Sequence, residues 1–145
     1  MRVVVQRVSS SSVSVNGEVI GQIKKGLNVL VGFTNGDSLK DIDYLVNKII
    51  NLRIFDDENG VMNKSVLDIG GSILLISQFT LYADSKKGNR PSYLNALKAC
   101  DALLLYEQIV DKMSQFVNVQ TGLFGADMQV LINNDGPITI CIDSK

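Results

Sequence analysis

Four short segments of this chain hold residues able to do chemistry together. Ser77-Gln78-Phe79-Thr80 places two hydroxyls and a carboxamide side by side. Such groups can donate hydrogen bonds to a developing oxyanion or hold a polar ligand by its edge. They equally suit a strand end that satisfies its own loop backbone. Thr121–Met128 sets Phe124 among small residues just before Met128. A phenylalanine so placed is either a stacking platform for a base or a filler of the core. Lys86, Lys87 and Arg90 follow Thr80 closely. They can supply charge to a phosphate or merely solvate a loop. Finally, Asn134-Asp135-Gly136-Pro137-Ile138-Thr139 interrupts a run that otherwise reads as strand. Proline donates no backbone hydrogen bond and fits a central strand poorly. The Gly-Pro pair either aims backbone carbonyls at something or makes a tight turn between two hairpin strands.

The chain contains no histidine. That removes the commonest general base, the commonest metal ligand and the usual Ser-His or Cys-His pair. A covalent role for Thr80 would need an adjacent base, which Lys86 or Lys87 could supply only if desolvated. The acidic run Asp56-Asp57-Glu58-Asn59-Gly60 lacks the ligand spacing of a calcium loop and reads as a solvated turn. Neither a metal nor a cofactor is expected.

Bulk composition narrows the class. The chain has 145 residues, 46% of them hydrophobic and 20% charged, with a net charge of −1. That is enough for one domain with a real core, and too apolar for disorder. Strong non-specific binding of nucleic acid is not expected from so small a charge; no DNA partner is expected, and any RNA contact must come from a local patch. The two cysteines, Cys100 and Cys141, lack metal or redox spacing. They read as free, mostly buried thiols of a reducing compartment; a disulfide is the lesser alternative. The charged start and the absence of a long apolar run imply a cytoplasmic protein without membrane association.

These groups must be positioned by strands and two helices. Residues 2–8 read as a strand, and Asn16-Gly17 as a type I′ hairpin turn. Residues 27–33 read as another strand. Ser38 with Asp41 marks a helix start, and Leu39, Ile42, Leu45, Val46, Ile49, Ile50 and Leu52 keep a helical period to about residue 52. Residues 72–79 form a buried strand, residues 80–91 a loop, and Pro91 stands at a short helical turn. Residues 101–117 form the second helix, with Ala102, Tyr106, Ile109, Val110, Met113, Phe116 and Val117 on one face. Three or four strand-like segments finish the chain. Ser9–Ser12 is expected at an exposed strand edge or bulge. The expected architecture is α+β: a single domain over 1–145 with a curved, barrel-like, mostly antiparallel sheet and two outer helices. A doubly wound fold does not fit this order.

Taken together, the segments resemble D-aminoacyl-tRNA deacylases of the bacterial and eukaryotic type. The likeness runs through Met1–Val8, Asn51–Phe55, Ser77–Asp84, Gly88–Ser92, Gly122–Met128 and Asn134–Thr139, with isoleucine after the proline where the family more often has valine. The resemblance implies hydrolysis of the ester between a D-amino acid and the terminal ribose of tRNA, and removal of glycine mischarged on tRNA. It implies a homodimer with active sites at the interface. It also implies a cis Gly136-Pro137 peptide whose carbonyls enter the neighbouring subunit's pocket and exclude an L side chain. Ser77, Gln78, Phe79 and Thr80 would hold the terminal adenosine and the oxyanion. Phe124 and Met128 would wall the adenine, Arg7 would pin the Gly-Pro element, and Lys86, Lys87 and Arg90 would meet phosphates. Two other readings stay open: a non-catalytic dimeric module that binds RNA ends or nucleotides, and a purely structural homodimer.

Overall fold

Strand β1 (Arg2–Val15) organises the sheet, because it is long enough to pair with three partners. Its first half lies antiparallel to β3 (Gly26–Gly32), with Val3 opposite Val31 and Val5 opposite Val29. Its second half turns back at Asn16-Gly17 to pair with β2 (Glu18–Ile23). Both turn residues have positive φ, 51° and 85°, as a type I′ turn requires. Helix α1 (Leu39–Ile50) follows, and then a small ribbon of β4 (Phe55–Asp56) and β5 (Met62–Lys64). Strand β6 (Ser72–Ser77) lies parallel to β3, and β7 (Asn118–Thr121) parallel to β6. Helix α2 (Ala99–Ser114) crosses between them. Strand β8 (Gln129–Asp143) pairs antiparallel along the other side of β1.

The computed structural model describes all residues, 1–145, as one nearly closed, barrel-like mixed sheet with two helices. Closure is tight where β2 meets β7: a Cβ on Gly21 would stand 2.6 Å from the Thr121 carbonyl oxygen. Central β6 is buried on both faces, as parallel strands usually are. Ile73 and Leu75 face a core shared with Ile42, Leu45, Ile49, Tyr106, Ile109 and Met113 of the helices. Leu74 and Ile76 face a second cluster with Val8, Val13 and Ile23. Each such side chain contributes about 1.5–3 kcal/mol on burial.

Several expectations need correction. Residues 129–143 form a single strand, so only β7 and β8 follow α2. The register explains this: Gln6 pairs with Thr139 and Val8 with Asn134, so residues 135–138 bulge outward opposite Arg7 while pairing resumes on both sides. Helix α2 ends at Ser114, which leaves Phe116 beyond its last turn and exposed. Leu39 is exposed at the first position of α1. Both cysteines are free but exposed. Cys141 alternates with half-buried Ile140 and Ile142 on β8, and Cys100 lies off the α2 face that carries Ala102 and Tyr106. Within the serine tract, Ser11 is buried, its hydroxyl 2.8 Å from the Leu131 carbonyl and 3.1 Å from Asn28 Oδ1. Pro91 leads into a turn at Leu94-Asn95 rather than a helical one.

Candidate active site

The Ser77–Thr80 segment lies where β6 ends and a 3-10 turn, Phe79–Tyr82, begins. The chain can turn there because Gly32 has no side chain: a Cβ would stand 2.8 Å from the Gln78 carbonyl oxygen. The Gln78 N–H donates to Val31 O at 2.7 Å and extends the β3–β6 ladder by one bond. Its side-chain amide donates to Thr80 Oγ1 at 2.6 Å. The Phe79 and Thr80 N–H groups are the first of the turn, where a helix supplies its own N–H groups with no acceptor.

A cavity of about 700 Å³ opens beside this turn, and its lining is mostly apolar. It is within the size range of small-molecule sites. Ser77, Gln78, Phe79, Phe124 and Met128, five residues expected at the site, line it together. Phe124 is half-buried and rests on Tyr106, ring centroids 5.5 Å apart. It is therefore both a wall of the cavity and a part of the packing. Tyr106 in turn donates its hydroxyl to Leu75 O at 2.8 Å, and burial pushes its ionisation up, so it is a fixed donor and not a base.

A strap over residues 91–98 forms the remaining wall and was not anticipated. It is clamped to the end of β3 by Thr34 Oγ1, which donates to Asn95 O at 2.6 Å, and by Leu97 N–H, which donates to Phe33 O at 2.9 Å. It brings Tyr93, Ala96, Leu97 and Lys98 to the cavity, and Tyr93 meets Phe79 edge-on at 5.1 Å. Asp127 also lines the cavity. No periodicity marks the strap. Its one sequence signal is a lysine directly before a helix, where Ser, Thr, Asp or Asn is usual.

The remaining expected residues lie elsewhere. Arg7, Gly136 and Pro137 meet at the β8 bulge, and none of them lines the cavity of its own chain. The Gly136-Pro137 peptide is cis, and Gly136 adopts φ 121°, a region that L residues rarely enter. Arg7 is buried beneath the bulge. Its Nε donates to Asp135 O at 3.3 Å and lies 3.1 Å from Asp135 Oδ2; its Nη1 donates to Ile54 O at 2.9 Å and lies 3.4 Å from Asp56 Oδ1. The base of the bulge is closed by Thr139 Oγ1, which accepts from Asn134 Nδ2 at 3.0 Å and from Gln6 Nε2 at 3.3 Å. The tip is thus held from within while Gly136 and Pro137 stay exposed. Lys86, Lys87 and Arg90 lie on an exposed loop pinched at its base by two 2.8 Å bonds between Asp84 and Ser92. Thr80 is exposed and lies just outside the cavity lining.

The acidic turn is satisfied internally. Asp57 accepts from the N–H groups of Asn59 at 2.9 Å and Val61 at 3.0 Å.

Known proteins of similar sequence and fold give this geometry its family. A family model described as D-Tyr-tRNA(Tyr) deacylase matches residues 4–143. D-aminoacyl-tRNA deacylases of Clostridium novyi and Clostridium tetani are 57% and 60% identical, over 100% of this chain and 98% of theirs. A solved structure of the c-Myc DNA Unwinding Element Binding Protein superposes with a TM-score of 0.95 at 42% identity, covering 100% of this chain and 99% of that one. A probable eukaryotic D-amino acid tRNA deacylase, 16% identical, shares the fold with a TM-score of 0.83 over 97% of both chains. The chain belongs to the D-Tyr-tRNA(Tyr) deacylase family.

Proposed function

We propose that this protein hydrolyses the ester joining a D-amino acid to the 3′-terminal adenosine of tRNA and rejects the L-aminoacyl ester. One observation carries the reading: Ser77, Gln78, Phe79, Phe124 and Met128, drawn from two separate family motifs, wall a single cavity. The adenine enters the apolar end against Phe124 and Met128, and Ser77 and Gln78 hold polar edges of the nucleoside. The ester carbonyl then faces the Phe79 and Thr80 N–H groups. Water adds to that carbonyl, the two amides meet the oxyanion, and collapse returns the ribose oxygen with a proton. With no histidine in the chain, the neighbouring ribose 2′-hydroxyl assists the proton transfers. The protein contributes positioning and oxyanion stabilisation.

Chirality is read by Gly136 and Pro137. A deacylase for many D-amino acids must sense the configuration at Cα and ignore the side chain beyond it. Backbone atoms on a rigid bulge do this, because they exclude one enantiomer whatever its side chain. Glycine carries no side chain, so glycyl-tRNA is accepted as well. In this reading a second copy brings the bulge to the cavity and the working unit is a homodimer with two composite sites, a reading supported by Gly136 and Pro137 lying outside their own chain's cavity lining. Lys86, Lys87 and Arg90 meet backbone phosphates of the acceptor strand. No helix is long and apolar enough to cross a membrane, and the substrate places the enzyme in the cytoplasm.

The solved relative named for DNA binding raises that activity for the fold. A net charge of −1 offers duplex DNA no general attraction, and the apolar cavity suits a single nucleoside better. The test is deacylation of D-tyrosyl-tRNA and L-tyrosyl-tRNA by the purified protein. Loss of the D-ester alone is expected. Binding without hydrolysis would replace this reading with an RNA-end-binding module.

A further inference from the structure

Lys98 breaks a local rule of helix design. It is the N-cap residue of α2, a helix of 16 residues, and makes no capping hydrogen bond. The residues that stabilise this position carry a short side-chain acceptor. Lysine carries none, and it adds a positive charge to the positive end of the helix dipole. Asp101 in the first turn offsets the positive helix end in part, but a cation at the cap itself remains a violation of the kind that tends to mark functional positions. Here no carboxylate lies within ion-pair distance of Lys98, although Asp127 lines the same cavity. The clamped strap that delivers Lys98 fixes its backbone against β3. The result is an exposed, unpaired cation on the wall of a mostly apolar cavity.

We propose that Lys98 binds the 5′-phosphate of the terminal adenosine. This deepens the deacylase reading and rests on it. If the adenine lies against Phe124 and the ester faces the Phe79 and Thr80 amides, that phosphate is the first anion of the substrate outside the apolar end. It is common to every tRNA, so a contact there anchors the acceptor end without selecting among tRNAs. A lysine suits this role, as a flexible point charge that tolerates several phosphate orientations. The contact is made alike in the ground state and the transition state, so it acts on KM and not on kcat.

The experiment compares the wild type with Lys98→Ser and Lys98→Arg. The substrates are D-tyrosyl-tRNA, the D-tyrosyl ester of adenosine 5′-monophosphate and the D-tyrosyl ester of adenosine. Lys98→Ser supplies a good N-cap and is expected to raise Tm. It is also expected to raise KM for D-tyrosyl-tRNA about three- to tenfold with kcat unchanged, and to lower the slope of log(kcat/KM) against log[salt] by about one. The wild-type preference for the phosphorylated ester over the phosphate-free ester falls several-fold in Lys98→Ser and is retained in Lys98→Arg. A stable Lys98→Ser protein with wild-type preference and salt slope overturns the proposal alone. A KM rise of equal size on the phosphate-free ester also overturns it. A wild type inactive on all three D-esters overturns the deacylase reading and this proposal with it.

Discussion

At the scale of residues, the sharpest question is what Thr80 does. Its hydroxyl accepts the Gln78 amide at 2.6 Å, and an amide is no base. A nucleophilic threonine needs a base to take its proton, and the chain has no histidine to serve. Thr80 Oγ1 therefore orients Gln78, and in the proposed mechanism its backbone N–H meets the oxyanion. Thr80→Ala should lose one hydrogen bond, a cost of about 1 kcal/mol, and lower kcat by no more than about tenfold. Loss of a true nucleophile would lower it by orders of magnitude and abolish any acyl-enzyme burst. The same assay on tRNA ending in 2′-deoxyadenosine should show a marked drop, since the ribose hydroxyl then cannot assist. Full speed on that substrate would return the proton transfers to the protein. Ser77, Gln78, Phe79, Phe124 and Met128 line one cavity as the family resemblance of their two segments implies, whereas strand-end polarity and a phenylalanine among small residues, read alone, also fit a satisfied strand end and a core filler. Tyr93, Lys98 and Asp127 were not legible. Tyr93 and Lys98 reach the cavity on a strap held by the Leu97 N–H to Phe33 O bond and by Thr34, and Asp127 reaches it from the loop between β7 and β8; such contacts leave no period in the sequence.

At the scale of elements, α1 was readable because cap and period agree. The Asp41 carboxylate accepts the Ser38 N–H and the Ser38 hydroxyl, each at 2.8 Å, and the Ser144 hydroxyl at 2.8 Å. Lys145 Nζ lies 3.8 Å away. These bonds tie the start of α1 to the end of the chain beyond β8. Burial pushes the Asp41 carboxyl up, but the hydrogen bonds from Ser144 and Ser38, with Lys145, outweigh it and bring it from 3.8 down to about 2. A carboxylate with a lowered folded-state pKa stabilises the fold above its unfolded value and loses that contribution as pH falls through the folded one. The contribution of Asp41 should therefore be complete above about pH 4 and vanish towards pH 2. Asp41→Asn should cost about 1 kcal/mol at neutral pH, as lost caps do. The urea midpoints of wild type and variant should converge on acidification through that window. A difference independent of pH would mean that the carboxylate is not the stabilising species. Strand β8 was the harder element. Proline argues against a central strand, and β8 keeps that rule in two ways: it pairs with β1 alone, and it bulges at residues 135–138 before pairing again at Thr139. Pairing across an interruption depends on Arg7, Gln6 and Ile54, which are far away in sequence, so the segment alone could not distinguish a turn from a bulge.

At the scale of the whole molecule, the two halves of the proposed site do not meet within one chain. Five motif residues wall the cavity, while Gly136 and Pro137 stand exposed on a bulge outside it. Strand β8 spends its hydrogen bonds on β1 alone, and no residue along its 15 positions is fully buried. Val130, Ile132, Ile138, Ile140 and Ile142 are only half-covered. A second copy would cover this surface and deliver the bulge, giving an isologous pair in which each subunit completes the other's site. Complementation decides this. Gly136→Val cannot hold φ 121°, and its side chain meets Ile138, so it displaces the exposed tip and spares the core. Gln78→Ala damages the cavity and leaves the bulge intact. Each variant alone should fail, the first by losing the preference for D over L and the second by losing rate. Co-expressed with different tags and purified as the mixed pair, the two should regain a D-selective rate, because one of the two sites then joins an intact cavity to an intact bulge. A mixed pair no better than its parents, or a monomeric mass by analytical ultracentrifugation at assay concentration, would return both elements to a single chain. The cavity and the chiral gate would then have to be separate sites.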